Sequence, residues 1–176
     1  RELKSSDALK KLSERDLEAL IHIAVDTALN SVRWRRPEAL SGKLGTLERE
    51  RLIGIAKAWL LVERERPEFE VVALEQKEAL QFGGLTVNAK LDRMDRILNV
   101  EGGAWAVIDY KTGRASAGDW LGPRPNEPQL PLYAAGAGRG LGSDTRVAAL
   151  AFALPRAGRS EEHTSELQSR GLISYA

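Results

Sequence analysis

Apolar and polar positions alternate with two different periods along this chain, and the change of period divides it. From Asp7 to about Asn30, Leu9, Leu12, Leu17, Leu20, Ile21, Val25 and Leu29 recur every three to five residues with charges between them, which predicts helix. Ser13 followed by Asp16 has the form of a helix start, so the stretch is expected to be two helices joined at a bend. Residues 31–45 contain Pro37, Gly42 and Gly45 and read as a loop. A further helix is predicted from Thr46 to Arg64, with Leu47, Leu52, Ile55, Trp59 and Leu60 as its apolar stripe and Pro67 closing it.

Beyond Pro67 the period becomes two. A strand is expected from Phe69 to about Gln81, then a hairpin turn at Gly83-Gly84. Leu85, Val87, Ala89 and Leu91 alternate with Thr86, Asn88, Lys90 and Asp92 in a second strand, and Trp105 to Lys111 reads as a third. The Gly- and Pro-rich segment 115–126 reads as a loop of active-site size, followed by a helix over Glu127–Ala137 and a buried strand over Val147–Leu154. This order predicts an α/β sandwich with N-terminal helices. An N-terminal helical part is expected over 1–68 and an α/β core over 69–158.

Composition narrows the possibilities. With 176 residues, 43% hydrophobic and 29% charged, the chain suits one folded domain. The absence of cysteine excludes disulfides, thiolate zinc sites and iron–sulfur clusters within it. A net charge of +1 means that any polyanion site must come from local charge. No apolar run is long enough to span a bilayer and no signal peptide is visible, so a cytoplasmic setting without a membrane partner is expected. The run RSEEHTSELQS at Arg159–Ser169 reads as the translation of a short-read sequencing adapter, so 159–176 are expected to be an artefactual tail. Setting that tail aside leaves His22, in the context ALIHIAV, as the one native histidine, expected in the core or on a helix surface.

The chemistry concentrates on the predicted strands. Side chains two apart share a strand face, so Asp109 and Lys111 project to one side and Ile108 and Tyr110 to the other. Asp92 shares its face with Asn88 and Lys90 on the preceding strand. Two adjacent strands can thus gather Asp92, Asp109 and Lys111 into one cluster. Two carboxylates with waters and a backbone carbonyl suit Mg²⁺, and a lysine beside it can orient or deprotonate a water and stabilise charge on a phosphate. Asp95, three residues from Asp92, is expected to face away and to pair with Arg93 or Arg96. Trp34, Trp59 and Trp105 read as core anchors and Trp120 as a candidate substrate contact. Arg33, Arg35 and Arg36 form a basic cluster able to meet phosphates, or simply an exposed loop.

These motifs, VIDYKTG (Val107–Gly113), LDRMDRI (Leu91–Ile97) and EPQLPLYA (Glu127–Ala134), resemble those of the RecB/AddB-type branch of the PD-(D/E)XK nuclease superfamily. The resemblance covers roughly Phe69 to Leu154. It implies a restriction-endonuclease-like α/β/α sandwich with a central mixed sheet and a metal-dependent deoxyribonuclease. Mg²⁺ is the expected cofactor, replaceable by Mn²⁺. It further implies Asp92 and Asp109 as metal ligands, the Tyr110 carbonyl completing the metal shell, and Lys111 as the catalytic lysine. Gln129 and Tyr133 match the family's Q-x-x-x-Y helix and are implied to contact the DNA backbone or position the lysine. Glu75 lies near an acidic position often present on the first strand, and Arg114, Arg124 and Arg139 flank the site. The implied partners are DNA and an AddA-like helicase–nuclease subunit in double-strand-break repair and recombination. Two departures stand out. Ala89 replaces the family's usual glycine, and no G-x-x-x-H helix precedes the core, so a histidine ligand is expected upstream of Arg1. The alternatives are an inactive DNA-binding scaffold of the same fold, or a stand-alone exonuclease resembling those of CRISPR adaptation, which usually carry cysteines.

Overall fold

A computed structural model of the chain describes residues 3–82, 84–100, 103–111, 117–120, 123–140 and 147–155. Helix α1 (Ser6–Lys10) starts where Ser5 accepts the Ala8 amide, and α2 (Glu14–Arg35) where the Ser13 hydroxyl accepts the Asp16 amide at 3.1 Å. The bend expected at Ser13 is therefore a true helix start, made by a side-chain cap. Helix α3 (Gly42–Glu65) returns along α2. Leu9, Leu17, Ile21, Val25 and Leu29 are buried and pack with Leu52, Ile53, Ala56 and Leu60 of α3 into a helical core. The ion pairs Arg49–Asp26 and Lys57–Glu18, both at 2.6 Å, edge this interface.

The loop expected over 31–45 is shorter than its composition suggests. Helix α2 continues until Pro37 is near, and α3 begins at Gly42. Gly45 is no breaker here, because a Cβ there would meet the Leu40 carbonyl oxygen at 2.3 Å, so only glycine lets the corner close. One consequence corrects the sequence reading of Trp34. It lies five residues past Leu29, roughly 140° round the helix, and is 86% exposed rather than a core anchor.

Strands β1 (Phe69–Phe82), β2 (Leu85–Ile97), β3 (Ala104–Tyr110) and β4 (Val147–Ala153) form a mixed sheet in the order β1-β2-β3-β4. The first three are antiparallel, and β4 runs parallel to β3 after a crossover through a 3₁₀ turn (Ala117–Trp120) and α4 (Gln129–Gly140). The β1–β2 ladder runs from Phe69↔Ile97 to Phe82↔Leu85, whereas β2 and β3 pair only from Ile97↔Ala104 to Arg93↔Ile108. Beyond Arg93, β2 therefore has an edge that β3 does not cover. The second core gathers Leu80, Leu91, Met94, Val107 and Leu150 of the sheet with Leu130 and Tyr133 of α4 and Trp120. Trp59 of α3 meets the Tyr110 ring edge-on at 5.8 Å, so α3 reaches the sheet at Tyr110, on the face opposite Asp109. No helix among the described residues is long and apolar enough to cross a membrane.

Candidate active site

The end of the β2–β3 ladder is where the candidate chemistry sits. Past Arg93↔Ile108 the next residues are Asp92 and Asp109, and there the backbone pairing gives way to a side chain. The Asp92 Oδ2 accepts the Tyr110 amide at 2.9 Å, which fixes the carboxylate beside β3. Asp109 is 4% exposed, and its Oδ2 is buried without an aligned hydrogen-bond donor, although Lys111 Nζ lies 3.1 Å away. Burial pushes the Asp109 carboxyl above its ordinary value, and the charges of Asp92 and Glu127 add to this; the nearby Lys111 ammonium opposes it only in part. For Lys111, burial disfavours the ammonium, but pairing with Asp109 and Glu127 more than offsets this and holds its pKa above the usual lysine value. The three predicted residues are thus brought together, with β3 continuing into Lys111 through its amide bond to the Ala153 carbonyl at 2.9 Å.

Glu127 is the member that the sequence reading missed. Its carboxylate lies 3.1 Å from Lys111 Nζ, and its amide donates to the Asp119 carbonyl of the 3₁₀ turn at 3.1 Å. It sits in a Pro/Gly-rich loop where no periodicity marks a facing residue. The one available signal is its place two residues before Gln129, at the head of the helix that closes the site.

Gln129 and Tyr133 are also near, and their polar groups turn to the edge of β2. The Gln129 side-chain amide donates to the Lys90 carbonyl at 3.1 Å and to the Tyr133 hydroxyl at 3.2 Å, and the Tyr133 hydroxyl donates to the same carbonyl. Tyr133 is 2% exposed. Both side chains therefore satisfy the edge of β2 that β3 leaves uncovered, two residues from Asp92. A groove of about 280 Å³ remains alongside, lined by Val87, Asn88, Lys90, Gln129 and Leu132 among others.

The remaining candidates separate. Glu75 lies across from Asp92, between the pairs Leu74↔Arg93 and Gln76↔Leu91, in a left-handed conformation with φ +52°. It is exposed and ion-paired with Lys90, outside any metal cluster. Trp120 is corrected from substrate contact to core: it is 4% exposed and packs on Phe152 at 4.8 Å between centroids. Arg114 lies outside the described residues, as does the tail 159–176. His22 is half-buried on α2, its Nδ1 3.3 Å from Arg49, as a helix-surface histidine would be.

Tyr110 turns its side chain to the other face. There its hydroxyl accepts from Arg93 at 3.1 Å, and Arg93 also donates to Asp95 at 2.7 Å and to Glu63 of α3 at 2.8 Å. Arg66 bonds Asp95 and Glu63 in turn, at 2.8 and 2.9 Å, and both guanidiniums stack on Phe69. Of the two partners expected for Asp95, Arg93 takes the role and Arg96 pairs with Glu70 instead, while the burial of Glu63, 2% exposed, was not foreseen.

A hard divalent cation fits these residues: a buried carboxylate oxygen without a donor, in Asp109, faces a second carboxylate that is already oriented. Among the described residues no third His, Cys, Asp or Glu joins them at metal-holding distance, so waters and a backbone carbonyl such as that of Tyr110 would complete the shell. The family model that matches the chain is that of the PD-(D/E)XK nuclease superfamily, over residues 3–172. No curated protein matches it.

Proposed function

The chain belongs to the PD-(D/E)XK nuclease superfamily, and on that premise we propose that it is the nuclease module of a RecB/AddB-type protein, cutting phosphodiester bonds in DNA. Its mixed sheet and N-terminal helices are those of a restriction-endonuclease-like fold, and enzymes of this superfamily typically work with divalent metal ions. Mg²⁺ is the ion proposed here, with Mn²⁺ as a substitute. The order of LDRMDRI, VIDYKTG and EPQLPLYA supports the RecB/AddB branch, with a helicase–nuclease partner, a cytoplasmic setting and a role in processing DNA ends.

The observation that carries the reading is Asp109. A carboxylate whose burial the Lys111 ammonium, 3.1 Å from Oδ2 without an aligned hydrogen bond, offsets only in part is costly to a fold unless it serves a ligand. Asp92 and Asp109 would hold the ion, and that ion would supply Lewis-acid polarisation of the phosphate and acidify a bound water. Lys111, kept protonated by Asp109 and Glu127, is suited to stabilise negative charge on the phosphate more than to remove a proton. Gln129 and Tyr133 hold the Asp92 strand in place through the Lys90 carbonyl. Calorimetric titration with Mn²⁺ and a cleavage assay on labelled DNA test this together. Asp109→Ala is expected to abolish metal binding, and Lys111→Ala to abolish cleavage while metal still binds. Undiminished cleavage by either variant would overturn the assignment.

A further inference from the structure

The corner between α2 and α3 carries a surface that the active site does not use. Trp34, at 86% exposure, is the most exposed large hydrophobic side chain among the described residues, and Leu44 and Leu47 nearby are 59% and 53% exposed. Arg33 lies against Gly45, which places the end of α2 and the start of α3 in one corner. Arg33, Arg35, Arg36 and Lys43 surround that corner, and Glu38 is the one acidic residue between positions 31 and 45. Among the described residues Arg35, Arg36 and Lys43 enter no ion pair, and Arg33 donates to the Asn30 carboxamide at 3.4 Å.

A helix C-terminus favours cations, and that accounts for Arg33 and Arg35. It does not account for a tryptophan left in water, since an indole normally dominates core packing. An exposed aromatic side chain within a run of arginines, of which Arg35 and Arg36 enter no ion pair among the described residues, is instead the pairing that unstacked nucleobases and their phosphates select. A duplex hides its base faces, so the fitting partner is a single strand. Along α3 the corner lies about 25 Å from Trp59, at 1.5 Å per residue, and Trp59 touches Tyr110 behind the candidate site. A strand of several nucleotides spans that distance.

We propose that Trp34, with Arg35 and Arg36, forms a stacking platform for single-stranded DNA at the α2–α3 corner, remote from the metal site. The proposal rests on the nuclease reading for its choice of DNA. Fluorescence anisotropy of a labelled single strand longer than about 16 nucleotides, the upper site size of one such platform, tests it in EDTA. Trp34→Ala is expected to weaken binding about tenfold with unchanged melting temperature, and Trp34→Phe to restore most of it. The double variant Arg35→Ala/Arg36→Ala is expected to lower the slope of log K against log salt by about 1.4, at about 0.7 per phosphate contact. If the unaltered chain binds while Trp34→Ala and the arginine variant bind equally well, the platform is overturned and the nuclease reading stands. If no form binds the single strand, the platform is overturned while the cleavage assay decides the nuclease reading; if Trp34→Ala changes only self-association, the corner is a protein interface and the platform is overturned.

Discussion

The two faces of β3 bury charge in opposite ways. On the α3 face, Arg93, Asp95 and Glu63 are nearly inaccessible, and every one of them is met by an opposite charge and by hydrogen bonds. Burial works against the Arg93 guanidinium, but Asp95 and Glu63 outweigh it, so the charge is held more firmly than in water. On the α4 face, Asp109 is equally buried, yet its Oδ2 meets only a Lys111 ammonium 3.1 Å away and shared with Glu127, which offsets burial in part, so its ionised form is disfavoured. Tyr110 lies between Asp109 and Lys111 and hands its side chain to the Arg93 network, so the satisfied face braces the strand that presents the unsatisfied one. A complete set of partners marks charge that serves the fold, and an incomplete set marks charge kept for a ligand.

Breaking the satisfied face is expected to have the largest effect. Arg93→Ala leaves the buried Asp95 and Glu63 with Arg66 as their one shared partner, and breaking a buried pair typically costs about 3–5 kcal/mol. Urea denaturation should therefore show a much lower midpoint, and metal affinity should fall with it. Near-native stability of this variant would mean that Arg66 alone suffices to hold both carboxylates.

On the other face the sign reverses. Asp109→Asn removes a charge that burial disfavours, so the metal-free protein is expected to be at least as stable as the unaltered one at neutral pH while losing metal affinity. The pH dependence follows from the raised pKa. A carboxyl whose pKa rises on folding binds protons more readily when folded, so its contribution is fullest below the ordinary value of 3.8 and is lost as pH rises through the folded value. Comparing the two proteins in EDTA across that window isolates the term: their stability difference should grow in favour of Asp109→Asn as pH increases. A constant difference would show that Lys111 fully compensates the carboxylate.

Much of this contrast is legible in the amino-acid order. The period-two run into Asp92 and the Asp109-x-Lys111 spacing place both candidate groups on one face, and Asp95 is correctly sent to the other. The pairing of Asp95 with a neighbouring arginine is legible too, but not its burial, which depends on α3 covering that face. Glu63 is not legible, because on an amphipathic helix a glutamate beside arginines reads as solvated, and only the docking of α3 onto Tyr110 buries it. Gln129 and Tyr133 are recognisable as a motif, but their work depends on where β3 stops pairing with β2, which no local pattern encodes. Trp34 escapes for a related reason: α2 extends through it, which places it well round the helix from the buried Leu29.

A smaller effect is expected from Tyr133→Phe, which deletes one donor to the Lys90 carbonyl and leaves Gln129 in place. A single hydrogen bond of this kind contributes about 1 kcal/mol net. If the pair positions Asp92, metal affinity and turnover decline several-fold while the KM for DNA holds. A change confined to KM would restore the substrate-contact role implied by the motif.

The smallest effect is expected at Glu75, where charge is paired but not buried. Its ion pair with Lys90 joins side chains 64% and 56% exposed, and such pairs contribute little because water screens them and two flexible chains must be ordered. Glu75→Gln should therefore leave the denaturation midpoint nearly unchanged, and 0.5 M salt should erase what difference there is. Metal affinity gives the sharper reading, since Glu75 sits opposite Asp92 in the ladder. If affinity is retained, Glu75 belongs to the solvent-screened surface, and two carboxylates suffice as the protein's acidic ligands. If affinity falls at least tenfold, Glu75 swings from Lys90 to the ion when metal binds, and the set of ligands around Asp109 has a third member.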